Sequence, residues 1–170
     1  ATPIINDDYT KRLLHMNGVA AATTFPNSAT TTHTVTANGT AQVYNIQSKF
    51  GGGSALFDGN SDYLNISSSA DFTFGTGDWT IDGWVRMDSA TTEYGVVSYG
   101  TPATDSWRIL THRSDVGWRS WKSGTPSFDL NEGSNTSTAN TWEHLAVIRS
   151  GDTIKLYKNG IEVASTSAVG

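Results

Sequence analysis

Ile154-Lys155-Leu156-Tyr157-Lys158-Asn159-Gly160-Ile161-Glu162-Val163-Ala164 is the stretch that decides the fold class. Apolar and polar residues alternate up to Asn159-Gly160, and a period of two places Ile154 and Leu156 on one face of a strand. A two-residue Asn-Gly link supplies the positive φ values that a type I′ turn requires, so the segment reads as a β-hairpin. A second hairpin is expected upstream, where Trp107-Arg108-Ile109-Leu110-Thr111-His112 turns at Ser114-Asp115-Val116-Gly117 into Trp118-Arg119-Ser120-Trp121-Lys122.

The same rhythm runs through the rest of the chain. Leu13-Leu14-His15-Met16 ends at Asn17-Gly18, Thr32 to Thr36 runs toward Asn38-Gly39, and Ala55-Leu56-Phe57 meets Asp58-Gly59-Asn60 before Tyr63-Leu64-Asn65-Ile66. Each is a strand meeting a turn. In Trp79-Thr80-Ile81-Asp82-Gly83-Trp84-Val85-Arg86-Met87, alternation puts Trp79, Ile81, Val85 and Met87 on one face and Trp84 on the other. A large aromatic on each side predicts a central strand covered in part on both faces. Trp142 to Ile148 is a second candidate central strand.

Composition agrees with an all-β chain. Of 170 residues, 36% are hydrophobic and 16% charged, Gly numbers 17, and Ser and Thr make up about a quarter. A helical bundle needs far more Leu, Ala, Glu and Lys. Six Trp argue against disorder, because large apolar side chains offset the entropy of ordering the backbone. About ten short strands on one core predict a single domain over residues 1–170, built as a two-sheet antiparallel β-sandwich.

Charge and residue inventory remove several classes of function. A net charge of -5 with no basic block repels a phosphate backbone, so no nucleic-acid partner is expected. The chain has no Cys, which excludes thiolate metal sites and Cys nucleophiles. No run of about 18 apolar residues is present, so a soluble protein without membrane insertion is expected. The start at Ala1 lacks the basic and apolar regions of a signal peptide. The His residues 15, 33, 112 and 144 lack ligand spacing, and Gly51-Gly52-Gly53 lacks the Lys and helix of a phosphate loop, reading instead as a strand-entry turn.

Three segments carry a resemblance: Leu13 to Gly18; Ser48-Lys49-Phe50-Gly51-Gly52-Gly53-Ser54-Ala55-Leu56-Phe57-Asp58-Gly59 and on to Leu64; and Asp71 to Val85. With Thr141-Trp142-Glu143-His144-Leu145-Ala146-Val147 and Leu156-Tyr157-Lys158-Asn159-Gly160 downstream, the order resembles the laminin G-like branch of the concanavalin A-like jelly rolls. The Lys49 to Gly59 run and the Thr-rich opening look like modules of phage tail fibres and other virion surface proteins. The resemblance implies two curved antiparallel sheets and a binding role toward glycans or other surface ligands. Family members carry acidic residues where this chain has Asn17 and Asn27. With Asp58, these are the candidate ligands for calcium, the one cofactor the resemblance brings, and neutral amides hold that ion more weakly than carboxylates do. Family members also continue beyond the Asn159-Gly160 hairpin. Without further strands the edge at Leu13 to Met16 is expected to be open, so either the sequence is a fragment or a neighbouring chain supplies the pairing.

The Glu-x-Asp-x-x-Glu arrangement of the family's glucanases is missing, so no glycosidase is expected. Sugar binding asks for an exposed aromatic face with polar groups beside it. Trp118, Trp121, Arg119 and Tyr94 are the candidates, whereas Trp79, Trp84 and Trp142 match core positions of the family. The expected function is a non-catalytic surface module, virion-borne (fibre, spike or capsid decoration) or otherwise extracellular, that contacts host glycans. Other virion proteins and further copies of the chain are its remaining expected partners. The alternatives are a structural domain docking on other virion proteins without a glycan, and a secreted bacterial carbohydrate-binding or adhesion domain.

Overall fold

The computed structural model describes residues 8–167, apart from 32, 90–91, 102, 104–105, 113–114, 123–124 and 132–136, and without the side chains of 111–112, 115–116, 121–122 and 125–128. Two compact units divide the chain, Ala1–Thr73 and Phe74–Gly170.

Among the described residues the first unit holds four short strands, β1 (Val35–Asn38), β2 (Gln42–Tyr44), β3 (Ser54–Leu56) and β4 (Tyr63–Ile66), followed by a 3₁₀ turn at Ala70–Phe72. β1 pairs antiparallel with β4, and β2 with β3. Phe25, Ala41 and Val43 are buried here. The triple glycine is a strand-entry turn, with Gly51 and Gly52 at φ 74° and 118° immediately before β3. At Gly53 the requirement is space, since a Cβ there would stand 3.1 Å from Asn17 Cα and 3.2 Å from the Met16 carbonyl oxygen. The expected strand at Leu13 to Met16 is reduced to a single bridge between Leu14 and Asn27. The Asn27 side chain takes the Leu13 N–H that a ladder would have used.

The second unit is the sandwich. β5 (Trp79–Arg86), β10 (Trp142–Ser150), β11 (Thr153–Lys158) and β12 (Ile161–Ser167) form one antiparallel sheet in the order β12-β11-β10-β5. β6 (Tyr94–Tyr99), β7 (Ser106–His112), β8 (Asp115–Lys122) and β9 (Thr125–Asn131) form the other, as a meander. The β11–β12 hairpin turns on Asn159 and Gly160 at φ 51° and 81°, as its sequence predicts. The β7–β8 hairpin also forms, with β8 beginning already at Asp115. β10 is central; β5, expected to be central, pairs among the described strands only with β10.

The core is laid down by in-register apolar rows. Ile109, Trp118 and Leu130 lie directly across from one another on β7, β8 and β9, and Ile81, Val147 and Leu156 do so on β5, β10 and β11. Five aromatic rings fill the space between. Phe74 stacks on Trp79 and Trp107 at 4.7 and 4.9 Å, Trp107 stacks on Trp118 at 5.4 Å and on Tyr99 at 6.1 Å, and Trp79 tilts against Trp118 at 5.2 Å. One end of the core carries a buried ion pair, Lys158 Nζ to Glu143 Oε1 at 3.3 Å, and the same oxygen accepts the Thr138 N–H.

Candidate functional site

Alternation that turns Ile109, Trp118 and Leu130 inward turns their neighbours outward. On that outer face Ser98, Arg108, Arg119 and Asp129 face one another across β6, β7, β8 and β9 in a single row. Two guanidinium-bearing residues directly opposite each other are unfavourable by themselves. Asp129 offsets one of them, its Oδ1 standing 3.1 Å from Arg119 Nε, with both side chains a third or more exposed. The neighbouring row of Gly95, Leu110 and Gly117 is not part of the exposed face, since Leu110 is 3% exposed and Gly117 is buried.

At the β6–β7 edge of this sheet lies a cavity of about 310 Å³, and its walls include Glu93, Ser98, Tyr99, Ser106, Trp107 and Arg108. That size is at the small end of ligand sites. Hydroxyls, a guanidinium and a carboxylate share it with the rings of Tyr99 and Trp107, which also stack in the core, so the cavity offers donors and acceptors suited to the hydroxyls of a polyhydroxylated ligand.

The residues chosen from sequence fare differently. Arg119 lies in the row. Trp118 does not, because its ring is 2% exposed in the core, with Trp107 and Trp79 against it. It is a packing residue, and the reason is its register with Ile109 and Leu130. Trp121 pairs by backbone with Ser106 and Pro126, and its side chain lies outside the described residues. Tyr94, at the start of β6, donates its hydroxyl to Asp88 Oδ1 at 2.6 Å, which raises its pKa by holding the proton. Arg108, a cation of the Trp107 to Lys122 stretch that is not among the four candidates, joins Arg119 in the row, and its place beside inward Ile109 in an alternating strand is the signal for it.

Two of the three calcium candidates are engaged locally. Asn27 Oδ1 accepts the N–H groups of Leu13 and Ala29, both at 3.1 Å. Asp58 Oδ1 accepts those of Asn60, Ser61 and Asp62, and the first two of these bonds do most to hold the carboxyl below its usual range. Asn17 is exposed. Both Oδ1 atoms are thus spent on backbone N–H groups in Asx-type turns, and the three residues as they stand do not fit a calcium cage.

Comparison with known proteins places these features in a wider group. No curated protein matches the chain in sequence. Among solved structures, the receptor-binding domain of botulinum neurotoxin C/D mosaic serotype is similar, with a TM-score of 0.66 at 12% identity over 94% of this chain and 40% of that one. A botulinum neurotoxin type C structure, from a study of cell entry dependent upon interaction with two ganglioside molecules, has a TM-score of 0.64 at 11% identity over 95% of this chain and 40% of that one. Domain 4 of AbnA, a GH43 extracellular arabinanase from Geobacillus stearothermophilus, in complex with arabinotriose, gives 0.58 at 18% identity over 81% and 66%. The chain therefore spans about two-fifths of the toxin structures and just under two-thirds of the arabinanase domain. These likenesses concern the fold. The family model Laminin_G_3 matches residues 57–170, well over half of the chain and the whole of the eight-stranded sandwich, so the chain belongs to the concanavalin A-like lectin/glucanases superfamily.

Proposed function

We propose that the chain is a non-catalytic glycan-binding module whose contact surface is the outer face of the β6–β9 sheet. The observation that carries this reading is the Ser98-Arg108-Arg119-Asp129 row beside a cavity walled by aromatic and hydroxyl groups. Strands hold the row, so its donors and acceptors are spaced before any ligand arrives and little ordering entropy opposes binding. That two similar structures concern arabinotriose and gangliosides supports a sugar as the ligand. A binding role rather than hydrolysis is supported by the missing Glu-x-Asp-x-x-Glu pattern.

The setting belongs to the same proposal: residues 1–170 acting as one extracellular or virion-surface module that contacts a host glycan and associates with other virion proteins or with further copies of itself. The run Lys49 to Gly59 supports the virion setting. A glycan array probed with the intact chain tests the reading. Binding to a defined glycan class, reduced at least roughly tenfold by Arg119→Ala as a charge-assisted hydrogen bond is lost, is the expected result. Silence across the array, together with stable co-assembly with a fibre or capsid protein, would replace it with a purely structural role.

A further inference from the structure

The other sheet also has an outward face, and it is not bland. Trp84 on β5 lies directly across from His144 on β10, with ring centroids 5.2 Å apart and planes inclined by 47°. It is 37% exposed, and among the described tryptophans it alone is exposed. The core does not need it there, since its strand neighbours Ile81 and Val85 supply the packed face. One row along, Asp82 faces Ala146, and Ala146 faces Tyr157 on β11, so only a methyl group stands between an acid and a phenol ring. Asp82 Oδ2 is 3.6 Å from His144 Nε2, and the Asp82 side chain is 59% exposed.

His144 is held in place from behind. Its backbone N–H donates to Asn159 Oδ1 at 2.9 Å and its carbonyl accepts the Asn159 N–H at 2.8 Å, tying it to the β11–β12 turn. The carboxylate, imidazole and indole therefore stand on paired strands next to a fixed turn, which limits the entropy lost when a ligand orders them.

We infer that Trp84, Asp82 and His144 form a second sugar platform, separate from the β6–β9 face, that takes the apolar side of a neutral hexopyranose. An exposed indole offers a flat surface to ring C–H groups. A hydroxyl both donates and accepts, so a carboxylate oxygen and an imidazole nitrogen lying 3.6 Å apart suit one hydroxyl, or two on adjacent carbons. An anionic ligand would meet Asp82. An ammonium ligand would share the carboxylate with His144 and would find a single indole beside it instead of the several rings that make a cage.

The platform does not rest on the reading of the β6–β9 face, and the two can fail separately. The test uses the full chain labelled with ¹⁵N, whose six Trp give six indole N–H resonances. Loss of one peak in Trp84→Phe assigns that residue. Methyl β-D-galactopyranoside, methyl β-D-glucopyranoside and methyl α-D-mannopyranoside are titrated in turn, with tetramethylammonium as the cationic probe. The expected result is a saturable shift of the Trp84 peak with at least one glycoside, weakened roughly tenfold by Asp82→Asn as a charged acceptor becomes neutral. Arg119→Ala is expected to leave this shift unchanged. Absence of a shift with all three glycosides overturns the proposal, as does a response to tetramethylammonium alone. Asp82→Asn keeps the side-chain shape, so the outcome remains readable if a Trp84 variant folds poorly.

Discussion

Trp118 and Trp84 mark the two fates of a large aromatic in this sandwich, one 2% exposed and the other 37%. Replacing Trp118 by Ala removes a ring shared by the core stacks and leaves a cavity, an expected loss of about 3–5 kcal/mol. Trp84→Ala is expected to cost no more than about 1–2 kcal/mol, because much less area leaves water when that ring packs. Equilibrium denaturation of both variants checks the contrast, and equal losses would contradict the burial described above. Acid stability is also set by single residues. The Asp71 carboxyl is held below its usual range chiefly by the hydrogen bond from His33 Nε2 at 2.8 Å, and Asp58 by backbone N–H groups. On acidification the unfolded chain takes up these protons first, so the stabilisation is whole above the ordinary carboxylate range of about pH 4 and is lost as pH falls through the lowered values. Asp71→Asn is therefore expected to lower Tm at neutral pH, with the gap to the parent chain closing below about pH 3–4. A gap that persists in acid would show that His33 is not what Asp71 stabilises.

Elements were largely legible in the sequence, and the reasons are local. Alternation and the Asn159-Gly160 link specify β11 and β12 without outside help, because the turn and both strands draw on neighbouring residues only. Alternation also separates Trp84 from Trp79, Ile81 and Val85. It cannot say which face the fold will cover, since that depends on the partner strands, and here the face of Trp84 is left open while β5 ends up beside β10 alone among the described strands. Trp118 is the converse case: whether it or Arg119 turns inward follows from pairing with Ile109 and Leu130, residues 9 and 12 positions away in the chain. The Glu143–Lys158 pair was equally hidden, as nothing local marks a charged residue on β10 or β11 for burial at 3% and 6% exposure. Its removal by halves should be costly. Lys158→Met leaves Glu143 buried and unpaired, with an expected loss of about 3–5 kcal/mol, whereas the double variant Glu143→Gln with Lys158→Met should recover part of it. Denaturant midpoints of the single and double variants measure this, and additive losses would contradict a coupled pair.

At the scale of the whole molecule, the second unit is a sandwich whose inner faces hold the apolar rows and the Glu143–Lys158 pair, and whose outer faces carry the Ser98-Arg108-Arg119-Asp129 row and the Trp84-His144 pair. A recognition module can divide its residues in this way because strands that pack a core on one side hold the opposite side rigid at no further cost in ordering. The proposed glycan contact therefore makes a spatial claim: ligand should be felt on the outward row of β6–β9 and at the cavity walls, and not at Trp118 in the core. The most direct measurement is amide chemical-shift mapping of the intact chain with the best oligosaccharide from the array. Saturable shifts are expected at Ser98, Arg108, Arg119 and Asp129, with the oligosaccharide recovered unchanged; shifts confined to other parts of the chain, or the appearance of new reducing ends, would contradict a non-catalytic contact on this face.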